Sequence, residues 1–157
     1  MRLFHKDLIE VLPRQQLLGQ WRELNSIFKL QNRHILINFV YDEGTAEELC
    51  VYSKMVINEM KKRNYKVNLD NFNRYFAEQG ITPMLAIVKN EVYQEKMNDE
   101  YLKICYYNLL EKYRCGGISQ EEWQKIEDRF GGVMWKMENL LFIIIQNILK
   151  ILNILHI

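Results

Sequence analysis

The segment LPRQQLLGQWREL, residues 12–24, holds the side chains best suited to chemistry. On a helix, steps of four, three and four place Gln15, Gly19, Arg22 and Ser26 on one polar face, with Gln16 and Glu23 flanking it. Arg22 can grip a phosphate through two parallel N–H donors. Gly19 lets another backbone come close. Glu23 lies about 100° round the helix from Arg22. A carboxylate beside a cation aimed at a polyanion weakens binding, so Glu23 needs a separate reason to be there. The plain alternative is a solvated helix face with a Glu–Arg pair, which contributes little.

Other catalytic signatures are missing from the sequence. It has no Walker A loop, no Gly-x-Gly-x-x-Gly, no His-Glu-x-x-His and no Gly-x-Ser-x-Gly. His5, His34 and His156 are far apart, with no carboxylates assignable to them, so neither a metal nor an organic cofactor is expected. His5 reads as a capping or hydrogen-bonded structural histidine.

The polar face needs a helix to carry it, and the sequence predicts one over 13–29. Pro13 suits the first helical position, where its fixed φ helps and its missing N–H costs nothing. Leu17, Leu18, Trp21, Leu24, Ile27 and Phe28 then form an apolar stripe. Trp21 shares that stripe and reads as core rather than as a platform for a base. Residues 34–40, HILINFV, suit either a buried helical turn or a short strand, and Tyr41-Asp42-Glu43-Gly44 reads as a loop. A second helix is expected over 46–63, with Leu49, Tyr52, Val56 and Met60 inward. Lys61, Lys62 and Arg63 form a solvated end that complements the macrodipole. Residues 64–97 predict short helical pieces and a long loop through Gly80 and Pro83. Asn98 or Asp99 caps a third long helix to about Arg114, which Gly116-Gly117 breaks. Ser119-Gln120-Glu121-Glu122 is a capping box opening a further helix, with a stop expected at Gly131-Gly132.

Composition agrees with a helical, globular chain. Its 157 residues suit one domain, with 48% hydrophobic and 26% charged residues. Only 2 Pro and 7 Gly disfavour an all-β protein rich in turns. The net charge of +1 excludes a polybasic tail protein but leaves room for a local basic face. Cys50, Cys105 and Cys115 are odd in number and widely spaced, which reads as reduced thiols in a cytoplasmic protein. MRLFHKDLIE lacks the apolar run of a secretory signal. Residues 140–157, LLFIIIQNILKILNILHI, place Gln146, Asn147, Lys150 and Asn153 on one side of a strongly apolar helix. That pattern favours a core or homodimer-interface helix, with membrane-surface contact as the alternative and a clean span disfavoured.

The opening MRLFHKDLIEVLPRQQLLGQWREL resembles the start of the pyrimidine-dimer DNA glycosylases, the family of phage endonuclease V, and above all their bacterial branch. The phage pattern keeps Gln15, Leu17, the triplet Arg22-Glu23-Leu24, Phe28 and His34. MVINEMKKRNYKV at 55–67 is similar to the family's middle helix, and Asn98 to Lys103 is similar to the bacterial branch. The likeness is dense over 1–24, moderate to about 40 and patchy to about 112, with nothing recognised beyond Cys115. It divides the chain into a glycosylase-like helical domain over 1–114 and a helical extension over 115–157.

The resemblance implies a compact all-α fold with the N-terminal segment packed between helices. It implies double-stranded, ultraviolet-damaged DNA as partner and a glycosylase that also nicks the abasic site. By the same resemblance the chain's α-amine attacks C1′ of the sugar to form an imine, and Glu23 assists. An α-amine has a pKa near 7.7–8.0, so a useful fraction is nucleophilic at neutral pH, unlike a lysine amine. Arg2 is too bulky for ordinary removal of the initiator methionine, so the amine belongs to Met1. Arg2, Arg22, His34 and Gln15 are the implied DNA contacts. Ser26 stands where the family has a phosphate-contacting arginine. Two alternatives remain open: a non-catalytic binder of distorted duplex DNA, and a helical interaction protein working through its apolar tail.

Overall fold

The computed structural model describes residues 2–30, 35–42, 45–83, 92–134, 139 and 144. These residues are all helix, turn and irregular segment, and no strand occurs among them. The all-α expectation is borne out. The order is a 3-10 helix Lys6–Val11, α1 Arg14–Phe28, a 3-10 turn Ile35–Ile37, α2 Phe39–Asp42, α3 Ala46–Lys62, α4 Asp70–Glu78 and α5 Asp99–Arg114, followed by α6, described over 120–134.

α3 and α5 begin with local caps, whereas α1 borrows a distant one. α3 opens with a reciprocal box: Thr45 Oγ1 accepts from the Glu48 N–H at 3.2 Å, and Glu48 Oε2 accepts from the Thr45 N–H at 3.0 Å. Asn98 Oδ1 caps α5 by accepting from the Tyr101 N–H at 3.0 Å. α1 starts behind Pro13 with no cap of its own. Its Arg14 N–H donates 2.8 Å to Glu122 Oε1 on α6 instead. α5 stops at Gly116, whose φ of 76° lets the Gly117 N–H reach back 2.8 Å to the Lys112 carbonyl.

The core lies where α1, α3 and α5 enclose the N-terminal segment. Leu17, Trp21, Leu24, Ile27 and Phe28 of α1 are all buried, as are Leu49, Tyr52, Val56 and Met60 of α3. Phe28 packs on the rings of Trp21, Phe72, Tyr75 and Phe76, which fixes α4 across the end of α1. α6 lies against α5 and the first 3-10 helix. Trp123 stacks on Tyr113 with ring centres 5.2 Å apart, the Tyr106 hydroxyl donates to Glu127 Oε2 at 2.7 Å, and Arg129 meets Glu10 at 2.6 Å.

Three expectations need correction. Residues 35–37 and 39–42 are helical turns, so Tyr41 and Asp42 close a helix where a loop was expected. α6 does not stop at Gly131-Gly132 but continues through 134, because Ile126, Phe130 and Met134 form a buried stripe at steps of four. Arg63 is not part of a solvated helix end. It donates 2.6 Å to Glu59, 2.7 Å to the Leu12 carbonyl and 2.8 Å to the Glu10 carbonyl, tying the 3-10 helix to α3. Lys61 and Lys62 are exposed as expected. The amphipathic reading of 140–157, and a homodimer through it, fall outside the described residues except for Ile144. Among the described residues no helix is long and apolar enough to cross a membrane.

Candidate functional site

The polar face of α1 forms one wall of an open cleft of about 470 Å³. Gln15, Gln16, Gly19, Gln20, Arg22 and Glu23 line it from α1, Arg2 and Phe4 from the N-terminal segment, Leu36 from one rim, and Asn108 and Lys112 from α5. The helical spacing that put these α1 residues on one face is therefore what builds the wall. The lining carries three cations, Arg2, Arg22 and Lys112, against the single carboxylate of Glu23. Glu23 is half-buried and, among the described residues, has neither a hydrogen bond nor an ion pair. Arg22 is exposed, equally without an ion-pair partner among them, and its Nη2 lies 3.7 Å from where a Cβ on Gly19 would stand. The Glu–Arg pair of a plain solvated helix face is thus not formed. Gln16 Oε1 is shielded from solvent, and among the described residues no group satisfies this acceptor on the wall.

The N-terminal segment reaches this cleft between helices, as the resemblance implied. Leu3, Phe4 and His5 are buried, so their backbone groups need partners inside the protein. Gln20 Oε1 accepts from the Phe4 N–H at 2.7 Å, and Gln20 Nε2 donates to the Arg2 carbonyl at 3.4 Å. The Tyr52 hydroxyl donates to the Phe4 carbonyl at 2.7 Å, and the Tyr101 hydroxyl to the Leu3 carbonyl at 2.5 Å. The His5 N–H points at Cys105 Sγ, 3.4 Å away. Burial raises the pKa of Tyr52 and Tyr101 well above the ordinary phenol value, so both hydroxyls keep the protons they donate. Arg2 leans on the Tyr101 ring, its guanidinium 5.9 Å from the ring centre.

His5 is the structural residue expected. Its Nδ1 accepts from the Asp7 N–H at 3.3 Å, capping the first 3-10 helix, and its Nε2 bonds the Met97 carbonyl at 2.8 Å. Burial lowers its pKa below the ordinary value, against the opposing pull of the Met97 carbonyl and Asp7. Trp21 is core, as expected.

Of the residues singled out from sequence, Arg2, Gln15, Arg22 and Glu23 meet around one cleft. Ser26 lines the adjoining hollow one turn along α1, which it shares with Arg22, Asn25 and Asn71. Met1 and His34 lie outside the described residues. Sequence reasoning missed Gln20, Tyr52 and Tyr101 as supports of the segment, and Asn108 and Lys112 as the facing wall. Gln20 left a trace: it is a polar residue between Leu17, Trp21 and Leu24 on the apolar stripe, where only a paired polar group can sit. Among the described residues no cluster of His, Cys, Asp or Glu could hold a metal ion.

Residues 1–73 match the family model of the pyrimidine dimer DNA glycosylases. The match bears out the resemblance seen in the opening residues and takes in α1, α3 and the whole cleft lining apart from Asn108 and Lys112. No curated protein and no solved structure matches the chain.

Proposed function

We propose that the chain is a DNA glycosylase for pyrimidine dimers in ultraviolet-damaged duplex DNA, with an abasic-site lyase step at the same site. The observation that carries this reading is Glu23: a carboxylate with no partner among the described residues, in a cleft otherwise lined by cations, on the wall that also receives the N-terminal segment. A cleft built only to hold a polyanion gains nothing from such a group.

In this reading Arg2, Arg22 and Lys112 meet the phosphates, and Gln15 and Ser26 add hydrogen bonds along α1. His34 contributes a further contact to the strand. The Met1 amine, one residue beyond Arg2, attacks C1′ of the damaged nucleotide, and the C1′–N bond to the base breaks. Glu23 stabilises the positive charge that develops on the sugar. The sugar ring opens to an imine, which acts as an electron sink. A proton then leaves C2′, the 3′ phosphate departs by β-elimination, and water releases the amine. Glu23 carries the protons in this scheme. A damaged base pair costs less to unstack than an intact one, which favours the lesion before any chemistry begins.

Replacing Glu23 with Gln tests the assignment. The expected result on abasic-site duplex is a loss of strand cleavage of about 10²–10⁴-fold, with binding kept or tightened. Cleavage at the wild-type rate contradicts the assignment. Salt-sensitive binding with no cleavage by the wild type would make the protein a binder of distorted DNA.

A further inference from the structure

The Gln20 carboxamide makes a pattern that belongs to β-sheets. Its oxygen accepts from the Phe4 N–H at 2.7 Å, and its nitrogen donates to the Arg2 carbonyl at 3.4 Å. One residue of a parallel strand pairs in this way with the two residues flanking its opposite number. One side chain thus stands in for a neighbouring strand beside Leu3. Two hydroxyls complete the ladder, Tyr101 on the Leu3 carbonyl and Tyr52 on the Phe4 carbonyl. The Tyr52 hydroxyl also lies 3.2 Å from Gln20 Oε1, linking the two supports.

This ladder fixes register. A slip of one residue would shift the segment by about 3.3 Å and turn every side chain to the opposite side. Leu3 is 0% exposed and Arg2 lines the cleft, so a slip would push Arg2 into the core and Leu3 out of it. Gln20 sits on α1 one helical turn before Glu23, so a single rigid helix holds both the carboxylate and the group that sets the segment's register.

We propose that Gln20 is a positioning residue that sets the register of the N-terminal segment and thereby the distance from the chain's amine to Glu23. The inference rests on the imine reading above and adds to it the element that aims the nucleophile. Gln20 borders the cleft but is only 2% exposed, and its carboxamide is taken up by the Phe4 N–H and the Arg2 carbonyl. It acts through the backbone of residues 2–4.

The test is a double-mutant cycle between Gln20→Leu and a single glycine inserted between Met1 and Arg2, scored by borohydride trapping on abasic-site duplex under single-turnover conditions. Gln20→Leu alone is expected to slow trapping by about 100-fold with DNA affinity unchanged, because an ångström of misplacement costs that much in a positioned reaction. The insertion alone is expected to slow the wild type by a similar factor. Combined, the two are expected to cost little more than either one, because a segment without register has none left to lose. Gln20→Glu keeps the acceptor for Phe4 and loses the donor to Arg2. It is expected to fall between wild type and Gln20→Leu, and it serves if the leucine variant fails to fold. Trapping by Gln20→Leu or Gln20→Glu at the wild-type rate, or penalties that multiply, overturns the inference and leaves the imine reading standing. No adduct from the wild type overturns both.

Discussion

Replacing Tyr52 with Phe isolates the energetic value of the ladder that holds the N-terminal segment. The ring stays and only the hydroxyl goes, so packing around a fully buried residue is kept. What is lost is the 2.7 Å donor to the Phe4 carbonyl. Gln20 Oε1 still has the Phe4 N–H, so one acceptor is left unpaired. Phe4 and its neighbours Leu3 and His5 are no more than 7% exposed, so water cannot take the place of the hydroxyl cheaply. An unpaired buried carbonyl costs about 1–3 kcal/mol. A chain of 157 residues loses roughly 3 °C of melting temperature per kcal/mol, so Tm should fall by roughly 3–9 °C. The same change should blunt alkaline unfolding. The buried phenol has a raised pKa, so its contribution is complete below the unfolded phenol value near 10 and is lost as pH rises above it. Thermal melts followed by circular dichroism at pH 7 and pH 10.5 read both effects. A variant that melts within a degree of wild type at pH 7 would refute the argument, because the hydroxyl would then be holding nothing.

Gly19→Ala should raise stability by about 1 kcal/mol, since the added Cβ meets only Arg22 Nη2 at an ordinary 3.7 Å and helix propensity improves; a lower Tm in calorimetry would show that the space is not there. Arg63→Met should cost about 2–3 kcal/mol in urea unfolding, because it leaves the buried Glu59 carboxylate with only the 3.8 Å contact to Lys62 and unpairs the half-buried Leu12 carbonyl, whereas Lys61→Ala should stay within about 0.5 kcal/mol; equal effects would restore the solvated-end reading. His5 has a pKa depressed by burial, so its contribution is complete above pH 6.5 and declines as pH falls from there towards the lower folded value. His5→Asn should flatten stability over that window, and parallel pH profiles would contradict the burial argument.

The helices were legible because their signals are local. Pro13, the Asn98 cap and the Ser119–Glu122 box each act within one turn, and the stripes of α1 and α3 repeat at helical spacing. The polar face of α1 was legible for the same reason, and the structure gathers Gln15, Arg22 and Glu23 as that spacing requires. What stayed hidden was set by distant partners. Arg63 reads as surface until its carbonyl partners 51 and 53 residues away come into view. Tyr101 and Leu3 are 98 residues apart, and only the folded chain joins them. The glycine pair at 131–132 misled because burial of Phe130 and Met134 outweighs a propensity cost of about 1 kcal/mol per glycine. Nothing local to α5 singled out Asn108 and Lys112 as a facing wall; that follows from how α5 packs beside the segment.

The imine mechanism turns most directly on which nitrogen attacks the sugar. Abasic-site duplex reduced with borohydride in the presence of the intact chain, then digested and sequenced by mass spectrometry, answers that. The expected result is a single adduct on the α-amine of Met1, lost when that amine is acetylated. An adduct on a lysine, or none at all, would contradict it.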